Sequence, residues 1–383
     1  MGEFKIYFKG LIWFMALLLG TLVAGCGGDG SSGGATPAIS NTKTITDYSL
    51  SGFAGIINEP AKTIAVTVPS GTTLTALVAT FTTTGTSVKV GATVQTSAAT
   101  ANDFTGPVAY TVTAADASTA IYTVTVTLSL GPPPIVLGAA APFGSFGGGA
   151  GMTSEGVLTV VNGDIGTTGA STTITGFHDS TGDVYTETPL NVGVVNGRIY
   201  TAAPPPVIFA PGGPFGGTAA TLAIATAGAS DALIAYNNMS PASLPGGIDP
   251  GAGQLGGLTL APGIYQAAGG TFLLTGSDLT LEAQDDPNAT WVFQTAAGLT
   301  IGAPGFPRSI ILINGAQAKN VSWYVGSAAR IENRCNMVGT IIANSGVTIS
   351  TSGELATTTL NGRALALNAS VTIVNTIINV PAP

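Results

Sequence analysis

Imidazoles, thiols and paired carboxylates are the groups from which a catalytic or metal site is assembled, and this chain holds few of them. His178 is its only histidine and lies in "GFHDSTGDVY" with Asp179 and Asp183. One imidazole beside two carboxylates is a candidate metal ligand or general base. With no second histidine and Cys335 far along the chain, a solvated loop is the expectation there. Asp285 and Asp286, in "EAQDDPNAT", lack the spacing of a calcium loop and read as turn formers before Pro287. Cys335 has no nearby imidazole to activate it and reads as a small buried apolar thiol. No glycine-rich loop follows a strand and opens a helix, so the 54 glycines mark turns rather than a phosphate cradle. No catalytic residue, metal or cofactor is expected.

The composition narrows the alternatives. Of the 383 residues only 8% are charged, and the mean hydropathy is +0.46. Beyond the N-terminus, Thr, Ser, Gly and Asn interrupt every apolar run before it reaches bilayer-spanning length. A net charge of −8 with scattered basic residues argues against nucleic acid as a partner. At the N-terminus, Lys5 and Lys9 precede a Leu-rich run from Leu11 to about Leu22, which reads as an export signal. It ends in "VAGC", Val23–Cys26, which looks like a bacterial lipobox. That resemblance implies cleavage before Cys26, lipidation of its thiol and, with Gly27 following, an anchor in the outer membrane. Cys335 is then left without a disulfide partner, so stability must come from packing and backbone hydrogen bonds.

Five segments follow. Residues 1–25 are the signal peptide. Residues 26–41, including "GGDGSSGGATP", form a flexible tether. Residues 42–130 alternate apolar and hydroxyl positions. In "VAYTVTAADASTAIYTVTVTL", Val108, Tyr110 and Val112 face one way, and Tyr122, Val124, Val126 and Leu128 answer them across a turn. This predicts a small antiparallel sandwich. The stretch resembles bacterial immunoglobulin-like surface modules, which implies a spacer. Residues 131–136, "GPPPIV", are a stiff linker. Residues 137–383 form one unit of short apolar strands and Gly/Asn/Pro turns. It contains one helical stretch, which Thr218 can cap and which places Leu222, Ala225, Ala229, Ala232, Leu233 and Tyr236 on one face.

The C-terminal part repeats itself. "WVFQTAAGLTI", "WYVGSAARI", "IIANSGVTI" and "LALNASVTI" end at Ile301, Ile331, Ile349 and Ile373, in steps of 30, 18 and 24 residues. Self-similarity of this length signals a solenoid, and unequal steps an irregular β-helix. Alternation turns Leu299, Val347 and Val371 inward together with the Ile two positions later. Thr300, Thr348 and Thr372 then point outward. Stacked coils would set these threonines about 4.7–4.9 Å apart, a stiff array of methyls and hydroxyls.

At this point the chain resembles the microbial ice-binding protein family. The matching stretches are "VVNGDIGTTG" with "TITGF", then "GGLTLAPGIYQ", "KNVSWYVGS" and "TLNGRALALNASVTI", which occur in the family's order across residues 137–383. The resemblance implies a mainly β fold, a discontinuous right-handed β-helix with one long helix alongside. It also implies binding of an ice crystal through one flat solenoid face. Residue by residue, that face is Thr153, Thr300, Thr348 and Thr372, flanked by Gly346, Ser350 and Ser370, with Leu273 in the same row. A monomer tethered at the cell surface is expected. One departure stands out: Arg330 occupies a ladder position and Glu332 the small-residue position after it. Either the pair interrupts the face or it lies at an edge, forming with Arg334 a surface ion-pair cluster of little energetic consequence. Two rivals remain. The β-helix enzymes that act on polysaccharides need clustered charges, which are sparse here beyond residue 190. A passive surface adhesin would have the same fold without affinity for ice.

Overall fold

Alternation of apolar and hydroxyl residues produces strands in both halves of the chain, but the two halves use them differently. The computed structural model describes residues 39–68, 72–204 and 216–382. The signal peptide, Cys26 and nearly all of the tether lie outside the described residues.

The first half packs a four-stranded sheet against a six-stranded one. Val108–Thr113 runs antiparallel to Thr119–Leu128, with Tyr110 opposite Tyr122 and Val108 opposite Val124. The other edge of Thr119–Leu128 pairs in parallel with Thr63–Val68. Val108, Tyr110, Val112, Tyr122 and Val124 are buried as their alternation requires. Leu128, expected to face inward, is 45% exposed, because it lies beyond the last residue paired with Val108–Thr113. Tyr110 anchors this core edge-on against Tyr48, ring centroids 5.5 Å apart.

From residue 137 onward the strands pair almost entirely in parallel, coil upon coil, and form three sides. One side is built from Gly263–Gln266, Trp291–Thr295, Val321–Val325, Asn336–Ala343, Thr358–Ala366 and Phe143–Gly147. Its inward residues stack in register. Tyr265 lies over Phe293 at 5.3 Å and Phe293 over Trp323 at 4.1 Å, an aromatic column through the centre of the coils. A second side carries the short strands that hold the threonines. The third, onto which the first residues of Thr358–Ala366 extend to pair with Thr376–Asn379, carries an asparagine ladder: Asn196 donates to Asn162 at 2.6 Å, Asn162 to Asn379 at 2.8 Å and Asn379 to Asn361 at 2.9 Å.

The coils do not stack in chain order. Met152–Asn162 pairs with Val371–Val374 and Thr376–Asn379, so the first coils of the domain continue the stack from its last strands. Where coils meet most closely, only glycine fits: a Cβ on Gly362 would stand 1.8 Å from the carbonyl oxygen of Gly339.

The helix α1 (Ala219–Met239) packs on the outer surface of the first side. Thr218 caps it as expected, accepting from the Thr221 amide while the Thr221 hydroxyl accepts from the Thr218 amide. The buried stripe is Ala225, Gly228, Ala232, Ala235, Tyr236 and Met239. Leu233, expected on that face, is 48% exposed. Close approach at Gly228 excludes a side chain there, since a Cβ would stand 2.7 Å from Phe143, while Leu233 lies one residue round the helix from the buried Ala232, at the margin of the stripe. Tyr236 stacks on Tyr324 at 4.2 Å, and the Gln294 amide donates to the Met239 and Leu244 carbonyls, each at 2.8 Å, closing the helix C-terminus onto the sheet.

Trp323 is fully buried between Phe293 and the next coil and donates to the Val338 carbonyl at 2.9 Å. Trp323→Ala is expected to destabilise the protein by about 3–5 kcal/mol, read as a lower midpoint in urea unfolding with the slope unchanged.

Candidate functional site

Each short strand of the second side has the pattern inward–outward–inward, and parallel register aligns the outward residues. Leu273 pairs with Thr300, Thr300 with Arg330, Arg330 with Thr348, Thr348 with Thr372 and Thr372 with Thr153. Thr153 pairs in turn with Thr175. All five threonines are half-exposed, and the residues on both sides of each are buried. Thr175 Oγ1 donates to Thr153 Oγ1 at 3.0 Å. The helix packs on a different side.

Beside this row, two positions earlier, runs a row of small residues. The carbonyls of Gly298, Ala328, Gly346, Ser370 and Gly151 accept from the amides of Phe272, Leu299, Ala329, Val347 and Val371 on the neighbouring coils. Gly346 and Ser370 are partly exposed there. Ser350 is different. Although it was expected at the flank of the face, its side chain is 1% exposed and its hydroxyl lies in the interior. At φ +69° the chain turns the corner there and carries the side chain under the coil. Ser350 therefore cannot meet a ligand at the surface. Thr175 joins the row from outside the repeats: its strand precedes the helix, far from the repeated rows in sequence, and only the closure of the stack brings it beside Thr153. Its signal was the "TTIT" alternation of residues 172–175.

The register also decides where Arg330 sits. It is the third residue of the row, between Thr300 and Thr348, and not at an edge. Its guanidinium is held by Glu332, with Nε to Oε1 at 2.9 Å and Nη2 to Oε2 at 3.1 Å, and Nη2 also donates to Thr351 Oγ1 at 2.6 Å. Glu332 is buried, so this pair is a two-pronged contact set into the face rather than a loose surface pair. It divides the row into Leu273–Thr300 on one side and four consecutive threonines, Thr348, Thr372, Thr153 and Thr175, on the other.

Arg334 pairs separately, with Glu354 at 3.2 Å. The Ala356 amide, the Asn333 side chain and Arg334 hold the Glu354 carboxyl down at about 2. Because that value is depressed, the stabilisation it brings is complete above the ordinary carboxylate value and is lost as pH falls from about 4.5 towards 2.

The remaining reactive groups do not assemble into a centre. His178 lies on the strand Phe177–Asp179, not in a loop, with Nδ1 2.6 Å from Glu187 Oε1. It is placed there because Phe177–Asp179 pairs with Asn191–Val195 at the end of the stack. Asp179 turns inward and accepts from the Thr181, Asp183 and Ile199 amides, a plug for the last coil. Asp286 closes its turn by accepting from the Asn288 amide and also accepts from the Leu130 amide, each at 2.9 Å, fastening the linker. Cys335 is fully buried; burial pushes its thiol up despite a bond from the Arg308 amide at 3.2 Å. Among the described residues no group of three His, Cys, Asp or Glu is placed to hold a metal ion.

A family model described as ice-binding-like matches residues 146–379, which hold the whole threonine row. The chain belongs to the ice-binding-like family. A second model, described as SGBP, N-terminal, matches residues 45–126. Ice-binding protein 1 of Shewanella frigidimarina is 38% identical over 120 residues, 31% of this chain and 13% of that protein. The ice-binding protein of Flavobacterium frigoris is 30% identical over 152 residues, and the match spans about half of its length, 51%. The ice-binding protein of the yeast Leucosporidium is 31% identical over 228 residues, 58% of this chain and 76% of that protein. Among solved structures, the ice-binding domain of the Shewanella protein aligns with a TM-score of 0.52 at 26% identity, covering 65% of this chain and 98% of that one. The ice-binding protein of Antarctomyces psychrotrophicus aligns at 0.50 with 29% identity, covering 65% and 100%. These likenesses establish the β-helix with its accompanying helix as a member of the ice-binding-like fold.

Glu354→Gln is expected to remove part of the acid sensitivity. The parent should lose melting temperature below pH 4.5 more steeply than the variant, and the two curves should run parallel above it, as measured by thermal melts at stepped pH.

Proposed function

We propose that this protein adsorbs to ice through the row Thr300, Thr348, Thr372, Thr153 and Thr175, flanked by Gly346 and Ser370. By doing so it inhibits ice growth and recrystallisation, or holds a cell to ice. The observation that carries the reading is the in-register run Thr348–Thr372–Thr153–Thr175, outward on a side that the helix leaves open. An ion orders water radially around itself, which opposes a planar lattice. Methyls held at regular spacing favour cage-like water, and neighbouring hydroxyls anchor it. Each contact is weak. Many contacts fixed in advance add together, because a rigid face loses little entropy on docking.

In this reading residues 137–383 carry the activity, the module at 42–130 is a spacer, and 131–136 is the linker between them. Lipidation at Cys26 would tether a monomer to the outer membrane. No step in this function requires an enzyme or a cofactor. A second reading, a passive surface adhesin of the same fold, is favoured by one observation. The Arg330–Glu332 pair sits within the row, and its charges oppose ordered water there.

The test is an ice recrystallisation assay on the purified chain against an albumin control. Thr348→Tyr places a bulky ring in the middle of the row. It is expected to raise the concentration required on the order of tenfold or more while leaving stability within about 0.5 kcal/mol. Activity equal to the parent's would exclude this side as the docking face. Arg330→Thr restores the row and is expected to lower the required concentration roughly two- to fivefold. Ser350→Ala, buried beneath the corner, is expected to change nothing in the assay. Crystals that grow as they do in albumin for every variant would leave the adhesin.

A further inference from the structure

Arg363 is 6% exposed, yet no carboxylate among the described residues pairs with it. Its Nε donates to the Ala141 carbonyl at 2.8 Å. Nη1 and Nη2 make only long contacts, each 3.4 Å, to Thr340 Oγ1 and the Pro381 carbonyl. A guanidinium has five N–H groups in a planar fork. Three are used here, which leaves one N–H on each terminal nitrogen. Burial lowers its pKa from the ordinary value, and no anion among the described residues counters that effect. A buried charge without a counter-charge is costly, and carbonyl dipoles compensate only part of it.

The same guanidinium borders an open cleft of about 290 Å³ where the linker crosses the solenoid. Lys319, an exposed ammonium without a partner among the described residues, stands on its rim. Pro134, Ile135, Leu137 and Pro381 form apolar walls. The volume is at the small end for a ligand site. The donor set fits a carboxylate: a two-pronged fork matches its two oxygens, and one ammonium adds charge at the entrance. A phosphate dianion would call for more donors than one fork and one lysine, and would gain nothing from the apolar walls.

We propose that the cleft between the linker and the solenoid binds a small organic carboxylate, its two oxygens on the Arg363 fork, its charge facing Lys319 and its apolar body against Ile135 and Leu137. The site lies away from the threonine row and is independent of ice adsorption. Occupation would tie the linker to the coils, because Pro134 and Ile135 of the linker and Arg363 of the solenoid line the same cleft.

Isothermal titration calorimetry of the full-length chain tests this, with sodium hexanoate as the probe and 1-hexanol and inorganic phosphate as comparisons. Hexanoate is expected to bind at one site with a Kd of roughly 1 mM or tighter, and the other two at least about tenfold more weakly. Lys319→Ala is expected to weaken hexanoate roughly two- to fivefold with an unchanged melting curve. Arg363→Lys keeps the charge but loses the fork and is expected to weaken it about tenfold or more. If Arg363→Lys fails to fold, Lys319→Ala decides. Absence of saturable heat with hexanoate, phosphate or hexanol binding as tightly, or equal affinity in Lys319→Ala would each overturn the assignment.

Discussion

Parallel backbone pairing between coils is the constraint on which the rest of this molecule depends. A side chain on the solenoid surface has its neighbours chosen by register rather than by sequence. Thr348 meets Thr372 because Val347 and Ile349 are already stacked on Val371 and Ile373. The inward residues supply the driving force through apolar burial, and the stacked column Tyr265–Phe293–Trp323 runs through the interior. An outward row therefore has little freedom to drift, and a rigid surface follows from a packed interior.

The chain uses this constraint with almost no help from charge. The outward rows are threonines, asparagines and small residues, and the hydroxyls and amides bond one another along the stack. The few ions are placed where a coil must be pinned. Asp179 plugs the last coil, Asp286 fastens the linker, and Glu354 gathers the loop that follows Ser350. Arg330 and Glu332 are the exception, an ion pair set into the threonine row itself. Within the threonine row that pair is a local departure in composition and not in register.

The helix has the complementary role. Its stripe of Ala225, Gly228, Ala232 and Ala235 lets it lie close against the sheet, covering one side of the solenoid and leaving the threonine side uncovered. Spacing alone placed Leu233 with the buried residues, but it lies one residue, about 100° round the helix, from the buried Ala232, at the margin of the stripe, and the leucine faces solvent. Leu128 departs because alternation continued along its strand after the opposing partner had ended.

Period-two alternation is a local property, so the sequence alone determined which residues of each short strand face out, among them Thr300, Thr348 and Thr372. It also determined the helix with its Thr218 cap. Which outward residues become neighbours depends on how coils stack, and coils far apart in the chain can touch. Only the tertiary structure brought Thr175 beside Thr153 and Thr153 beside Thr372, because the first coils close onto the last. It alone placed Arg330 within the row, through pairing with Thr300 and Thr348 on either side. It also took Ser350 out of the row by turning the chain at a corner whose left-handed backbone leaves no mark in the alternation. Periodicity reports the face a residue occupies; its partners are set by hydrogen bonds between segments whose separation along the chain carries no information about their distance.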